Sequence, residues 1–241
     1  MRIGALQPGY LPWLGFFDQI ARCDLFVLYD DLPYARRSWR NRNRIKTPQG
    51  TMWLTVPVVN QGLTRKRIRE VEISEHQNWR NRHWRAIEQN YSRAPHFGAH
   101  AKFFEELYAR PWRLLADLDR EIISYLLGTL GIDTRVIFSS NEGLETDFLG
   151  SSGGTANSTE RIGFLCERLG ADRFLEGTLG RAFLEPDRLA ARGITLEFHD
   201  YVHPRYRQLF GPFVPYLSVI DLLMNHGEES LAILTGQKAV A

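Results

Sequence analysis

Cysteine is scarce in this chain: two in 241 residues, Cys23 and Cys166, with no partner at metal-ligand or redox spacing. That excludes a disulfide framework and a thiolate metal centre, and it fits a reducing compartment. Both thiols lie in or just after helical patterns and read as buried structural residues. No stretch of about eighteen apolar residues occurs, so no segment reads as a membrane span. The short run Met1–Leu6 before Gln7-Pro8 falls short of a signal peptide, and the expected location is the cytoplasm. Repeats and low-complexity tracts are missing too. Net charge is low, formally +2, which removes any whole-protein argument for binding nucleic acid or a membrane.

What is present is core material and one local field. Hydrophobic residues make up 44% and charged residues 24%, enough for a sizeable core. Between Arg36 and Arg85 stand thirteen Lys or Arg against three acids, Glu70, Glu72 and Glu75. The rest of the chain is therefore acidic, and the positive charge is concentrated in one segment.

Ile3 to Gln7 reads as a buried strand, a helix follows from about Pro12, and Leu25 to Tyr29 is a second strand ending in Asp30-Asp31. Two strands joined by so short a helix imply a right-handed crossover and parallel pairing. Leu32 to Thr51 reads as irregular, with strands at Met52–Val58 and Val71–Ser74. Trp79–Tyr91 is a helix, and two more occupy about 101–130. Strand and helix then alternate: Thr134–Ser139, helix Ser158–Leu169 with Asn157 as its N-cap, strand Arg173–Glu176, helix Leu184–Arg192, strand Ile194–Phe198, and a closing helix Ser218–Asn225. The glycine- and serine-rich stretch Asn141–Thr155 reads as a flexible loop or lid. The expected architecture is one α/β domain over 1–241, a doubly wound, mostly parallel, Rossmann-like sheet with an all-helical insert at 78–130.

Ligands of such sheets bind outside the carboxyl ends of the strands. Gln7-Pro8-Gly9-Tyr10-Leu11-Pro12-Trp13 ends the first strand in a tight turn and opens a helix, whose N-terminal N–H groups could seat a phosphate; a plain turn with Tyr10 and Trp13 in the core is the simpler alternative. After the second strand, Arg36 to Lys46 holds six cations in eleven residues. Arg37, Arg40 and Lys46, interleaved with Asn41, Asn43 and Trp39, suit bidentate anion contacts and base stacking, or else form a solvated loop. Asp30 and Asp31 have three uses open: a magnesium ion accompanying a nucleotide, ribose hydroxyls, or pairing with Arg. Gly177-Thr178-Leu179-Gly180-Arg181 lets amides, a hydroxyl and a guanidinium converge on an anion. His199 and His203 could share a metal only within a helix, which Pro204 disfavours; His203 reads as a general base or as a packing residue, near Gln208.

At these residues the chain resembles the WbqC-like family. The match is carried by Gln7-Pro8-Gly9-Tyr10-Leu11-Pro12-Trp13-Leu14-Gly15, Asp30-Asp31, Arg37-Ser38-Trp39-Arg40-Asn41-Arg42-Asn43, Trp53-Leu54-Thr55-Val56-Pro57-Val58, Gly177, Asp200-Tyr201, His203-Pro204, and Ser218 to Gly227. Phe183 stands where the family often has Tyr. The resemblance implies a role in bacterial gene clusters for O-antigen (lipopolysaccharide) and other glycans or specialised metabolites. A more distant likeness reaches the nucleotidyltransferase superfamily of pantothenate synthetase and class I aminoacyl-tRNA synthetases. Gln7-Pro8-Gly9-Tyr10 stands where those proteins have a His-x-Gly-His turn, so it implies fold more than adenylate chemistry.

Together these readings predict a transferase or ligase attaching an acyl or aminoacyl group to an amine, on a nucleotide or sugar-nucleotide substrate. Gln7, Tyr10 and Trp13 would receive phosphate with Arg37, Arg40 and Lys46, Asp30 or Asp31 would orient ribose or a metal, and His203 would be the base. The rival is a nucleic-acid module with Trp39, Trp53, Trp79 and Trp84 stacking bases, which a pI near 8.6 disfavours. A non-catalytic partner of a glycan-assembly enzyme is the third reading.

Overall fold

The computed structural model describes residues 1–63, 66–151 and 157–237. Its strands are β1 (Arg2–Leu6), β2 (Leu25–Leu28), β3 (Arg42–Thr47), β4 (Gly50–Thr55), β5 (Arg135–Phe138), β6 (Arg173–Gly177) and β7 (Thr195–His199). Its helices are α1 (Leu14–Ala21), α2 (Trp79–Tyr91), α3 (Phe97–Ala109), α4 (Leu115–Leu130), α5 (Leu144–Ser151), α6 (Ser158–Leu169), α7 (Pro186–Ala190), α8 (Val219–His226) and α9 (Ser230–Leu234). The chain divides into two compact units. One takes Met1–Gln7, Gln19–Leu32 and Asp133–Val202; the other takes Pro8–Asp18, Pro33–Ile132 and the chain from His203.

The first unit is an α/β layer structure. Its five strands run in the order β5-β2-β1-β6-β7, every neighbour parallel. Leu25-Phe26-Val27-Leu28 is buried throughout, as a strand covered on both faces must be. On one face Ile3, Val27 and Phe174 pack with Ile162, Leu165 and Cys166 of α6 and Leu189 of α7. α6 starts where its sequence says it should: the Asn157 side chain accepts from the Thr159 N–H, and Gly170 closes the helix at positive φ. The strand order reverses at β1, so this topology puts its expected ligand position beyond the ends of β1 and β6, at Gln7 and Gly177.

The second unit is a β3–β4 antiparallel hairpin with helices, its core built on Trp79, Tyr91, Phe104, Leu118 and Ile122. Here two expectations are corrected. Leu32–Thr51 is not irregular throughout, because Arg42–Thr47 is a strand. Its Arg-Asn-Arg-Ile alternation has the strand period of two, written in polar residues that an apolar count passes over. Val71–Ser74 is no strand; Glu72 and Ile73 make only single bridges, to Leu114 and Val58. In the first unit, Asn141–Thr155 is partly helical. Leu144 and Phe148, one turn apart on α5, are buried, and Glu145 accepts from Tyr29 Oη (2.6 Å) and Arg161 (3.0 Å). Residues 152–155 of that expected lid lie outside the described residues.

Candidate functional site

At the carboxyl edge of the first unit the register Leu6↔Leu28 brings Gln7 and Asp30 to the same end of the sheet. Asp30 and Asp31 are buried. Asp30 accepts from the Ser140 N–H (3.1 Å) and the Ser140 hydroxyl (2.8 Å), and the Ser139 hydroxyl stands 3.0 Å from each carboxylate. These serines, at the end of the edge strand β5, are not among the residues the sequence singles out. Among the described residues no group of three or more His, Cys, Asp or Glu could hold a metal ion.

The end of β6 carries a carboxyl shifted by burial. Glu176 is half-buried, its Oε1 accepts the Gly177 N–H at 3.0 Å, and burial pushes its carboxyl up to about 7. Gly180 lies against it so closely that an added Cβ would stand 2.3 Å from Glu176 Cγ. Thr178 and Arg181 are engaged elsewhere. The Thr178 hydroxyl donates to His199 O (3.0 Å), and Arg181 pairs with Asp200 (2.6 Å) over the Phe198 ring. The expected anion loop is therefore already closed on the end of β7 by its own side chains.

In the second unit the basic segment separates into structural and open groups. Asn41 Nδ2 donates to Val56 O (2.8 Å), and Asn43 Nδ2 to Leu11 O (2.6 Å), holding Leu11 at φ 46°. Arg40 is half-buried and donates to Pro8 O (3.0 Å). Lys46, expected as an open cation, is 1% exposed; its Nζ donates to Gln208 Oε1 (3.0 Å) and Pro212 O (2.6 Å). Gln208 spends its amide on Val214 (3.0 Å). These five residues fasten loops together, because a buried polar side chain must find partners inside the fold.

Arg36, Arg37, Arg42 and Arg44 remain; Arg44 donates to Tyr216 O (3.4 Å), and the other three stand together. With Tyr34, Asn60 and Thr55 they line a cavity of about 280 Å³. Its walls are ordered: Arg36 donates to Asn60 O (3.2 Å), Arg42 donates to Arg37 O (2.6 Å), and Arg37 itself holds φ 56°. Behind it, Asp119 on α4 is fully buried with no hydrogen-bond partner on either oxygen. Burial raises its carboxyl well above the usual range, with the Arg40 charge opposing. An acid within the buried stripe Leu115, Leu118, Ile122 was visible in the sequence and passed over.

Two expected catalytic placements and one expected phosphate seat are corrected. Tyr10 faces no cleft; it is fully buried, and its hydroxyl meets the Tyr108 hydroxyl and His83 Nδ1 (2.8 Å). The start of α1 is no open phosphate seat, since the Trp13 indole, which packs on Tyr216 at 5.7 Å, covers Gly15. His203 has no nitrogen left for base catalysis. The Tyr216 N–H can only donate, so Nε2 accepts it (3.1 Å), and Nδ1 carries the proton to Pro204 O (2.8 Å). Burial also holds this imidazole below its ordinary range.

A wholly parallel sheet reversing at its first strand defines an α/β protein of Rossmann-like architecture. The chain belongs to the WbqC-like protein family, whose model matches residues 7–233. It is 38% identical over 231 residues, 95% of each chain, to the uncharacterized protein Rv1507c of Mycobacterium tuberculosis. No solved structure matches it. Among the described residues no helix is long and apolar enough to cross a membrane.

Proposed function

We propose that this protein is a cytoplasmic transferase or ligase of bacterial glycan or small-molecule assembly, acting on an anionic, nucleotide-linked substrate held in the arginine-lined cavity of its second unit. What carries the reading is the convergence of Arg36, Arg37 and Arg42 on one ordered cavity of about 280 Å³. Three arginine side chains lining one cavity can meet an anion through charge-assisted, bidentate contacts. The volume lies at the lower end of small-molecule sites, about 300 Å³ and upward. It suits a phosphate-bearing head group rather than a complete sugar nucleotide. Positioning and charge stabilisation would then supply most of the catalysis of acyl or aminoacyl transfer to an amine.

The rival nucleic-acid reading loses two of its four indoles, because Trp79 is fully buried and Trp84 stacks on Phe97. A thermal-shift series with nucleotides, sugar nucleotides and coenzyme A tests the proposal. A ligand at a hundred times its dissociation constant should stabilise the fold by about 2.7 kcal/mol. Arg37→Ala and Arg42→Ala should each weaken that ligand by about 1.5–3 kcal/mol. No shift with any of these compounds, or unchanged binding by both variants, would refute it.

A further inference from the structure

Trp39 and Trp53 stand half in water, 48% and 46% exposed, with ring centres 5.4 Å apart and planes tilted by 35°. Both are held firmly. Trp53 lies within β4, paired with Arg44 across the hairpin. The Trp39 backbone is fastened from the other side. The Tyr10 N–H points to the carbonyls of Trp39 (3.3 Å) and Arg40 (3.1 Å), and Gly9 comes so close that an added Cβ would lie 2.7 Å from Trp39 O. The Ser38 hydroxyl closes the same loop on Ala35 O at 2.6 Å.

Cations flank the pair. The Arg42 and Arg44 guanidinium carbons lie 4.7 and 5.5 Å from the centre of the Trp53 ring. Arg42 and its strand partner Thr55 also line the arginine cavity, so the indoles and the cavity adjoin through shared side chains. Two adjacent indoles left half-wet form an apolar surface that a ligand would cover. A planar base with an attached phosphate matches both halves, stacking on the indole and placing its charge among the guanidinium groups.

We propose that the Trp39–Trp53 pair is a base-stacking platform serving the arginine cavity, and that the ligand is a single nucleotide unit whose phosphate lies among Arg36, Arg37 and Arg42. The inference rests on reading that cavity as an anion site. One unit fits better than a strand, because Trp79 is fully buried and Trp84 stacks on Phe97, which leaves two of the four indoles for a base.

The test compares UMP and AMP with ribose 5-phosphate on the full chain, by equilibrium dialysis and tryptophan fluorescence. The nucleotides should bind roughly 10-fold or more tightly than ribose 5-phosphate and quench the fluorescence. Trp39→Ala should erase that advantage, leave ribose 5-phosphate binding unchanged and unfold at the wild-type temperature, while Trp39→Phe keeps part of the advantage. Equal binding of nucleotides and ribose 5-phosphate, or an advantage that survives Trp39→Ala, refutes the platform and leaves the anion site standing. Failure of every phosphorylated probe overturns both. Binding of an oligouridylate alone, with steep salt dependence, would replace the single nucleotide with a strand and overturn the proposal.

Discussion

Replacing Glu176 with Gln should make the protein more stable at neutral pH. In the unfolded chain the carboxyl titrates near 4.5; in the fold burial carries it to about 7. The folded state therefore holds a proton that the unfolded state releases. Its contribution is intact below the lower value and is lost as pH rises through the higher one. At about 1.4 kcal/mol per unit, the wild type at pH 7 gives up about 3 kcal/mol relative to pH 4, and at pH 5 less than about 1 kcal/mol. Gln cannot ionise, and its Oε1 can still accept the Gly177 N–H. The variant should thus match wild type near pH 4 and exceed it by about 3 kcal/mol at pH 7. Urea unfolding at half-unit steps from pH 4 to 8 reads the difference directly. A difference that stays flat across that range, or a variant less stable at pH 7, would show that Glu176 is ionised and supported in the fold.

Gly180→Ala should destabilise by about 1–3 kcal/mol, because its Cβ must displace the Glu176 side chain, and Glu176→Ala in the same chain should recover most of that loss. Asp119→Asn should equal wild type near pH 4 and gain about 1.4 kcal/mol per pH unit above it until Asp119 ionises; equal stability at pH 7 would instead mean an ionised Asp119 supported by Arg40. Lys46→Met should cost about 2–4 kcal/mol in urea unfolding, since Pro212 O and Gln208 Oε1 lose a buried donor. Cys23 and Cys166, both buried with thiols pushed up to about 12, should react with a disulfide reagent only at the rate of unfolding; fast labelling of the native protein would refute that.

The first unit was largely legible in the sequence because its signals are local. Leu25 to Leu28 announces a buried parallel strand, and Asn157 and Gly170 mark both ends of α6 within a single turn each. Where signals were polar they were lost: β3 hides its period of two in Arg42, Asn43 and Arg44, and α5 hides Leu144 and Phe148 among glycine and serine. For the site, sequence located the charge but could not divide it. Whether a cation or amide in Arg36–Lys46 is open or spent depends on partners far along the chain. Asn43 is satisfied 32 residues away at Leu11. Lys46 is satisfied 162 residues away at Gln208. Such partners carry no local pattern.

The same long-range bonds reassign the Gln7–Trp13 motif. Leu11 at φ 46° and Tyr216 at φ 59° are non-glycine residues in the left-handed region, a conformation that costs on the order of 1–3 kcal/mol and persists only where surroundings over-determine it. Asn43 holds the first through its carbonyl, and His203 holds the second through its N–H. Trp13 packs on Tyr216, and Trp13 and Ser218 bridge as short antiparallel partners. The motif residues Tyr10, Leu11 and Trp13, with His203, thus form a clamp on two strained loops, and Tyr10 also pins Trp39 beside the arginine cavity. What the sequence offered as a phosphate seat and a general base is, in the second unit, the scaffold that sets where the open arginines and indoles stand.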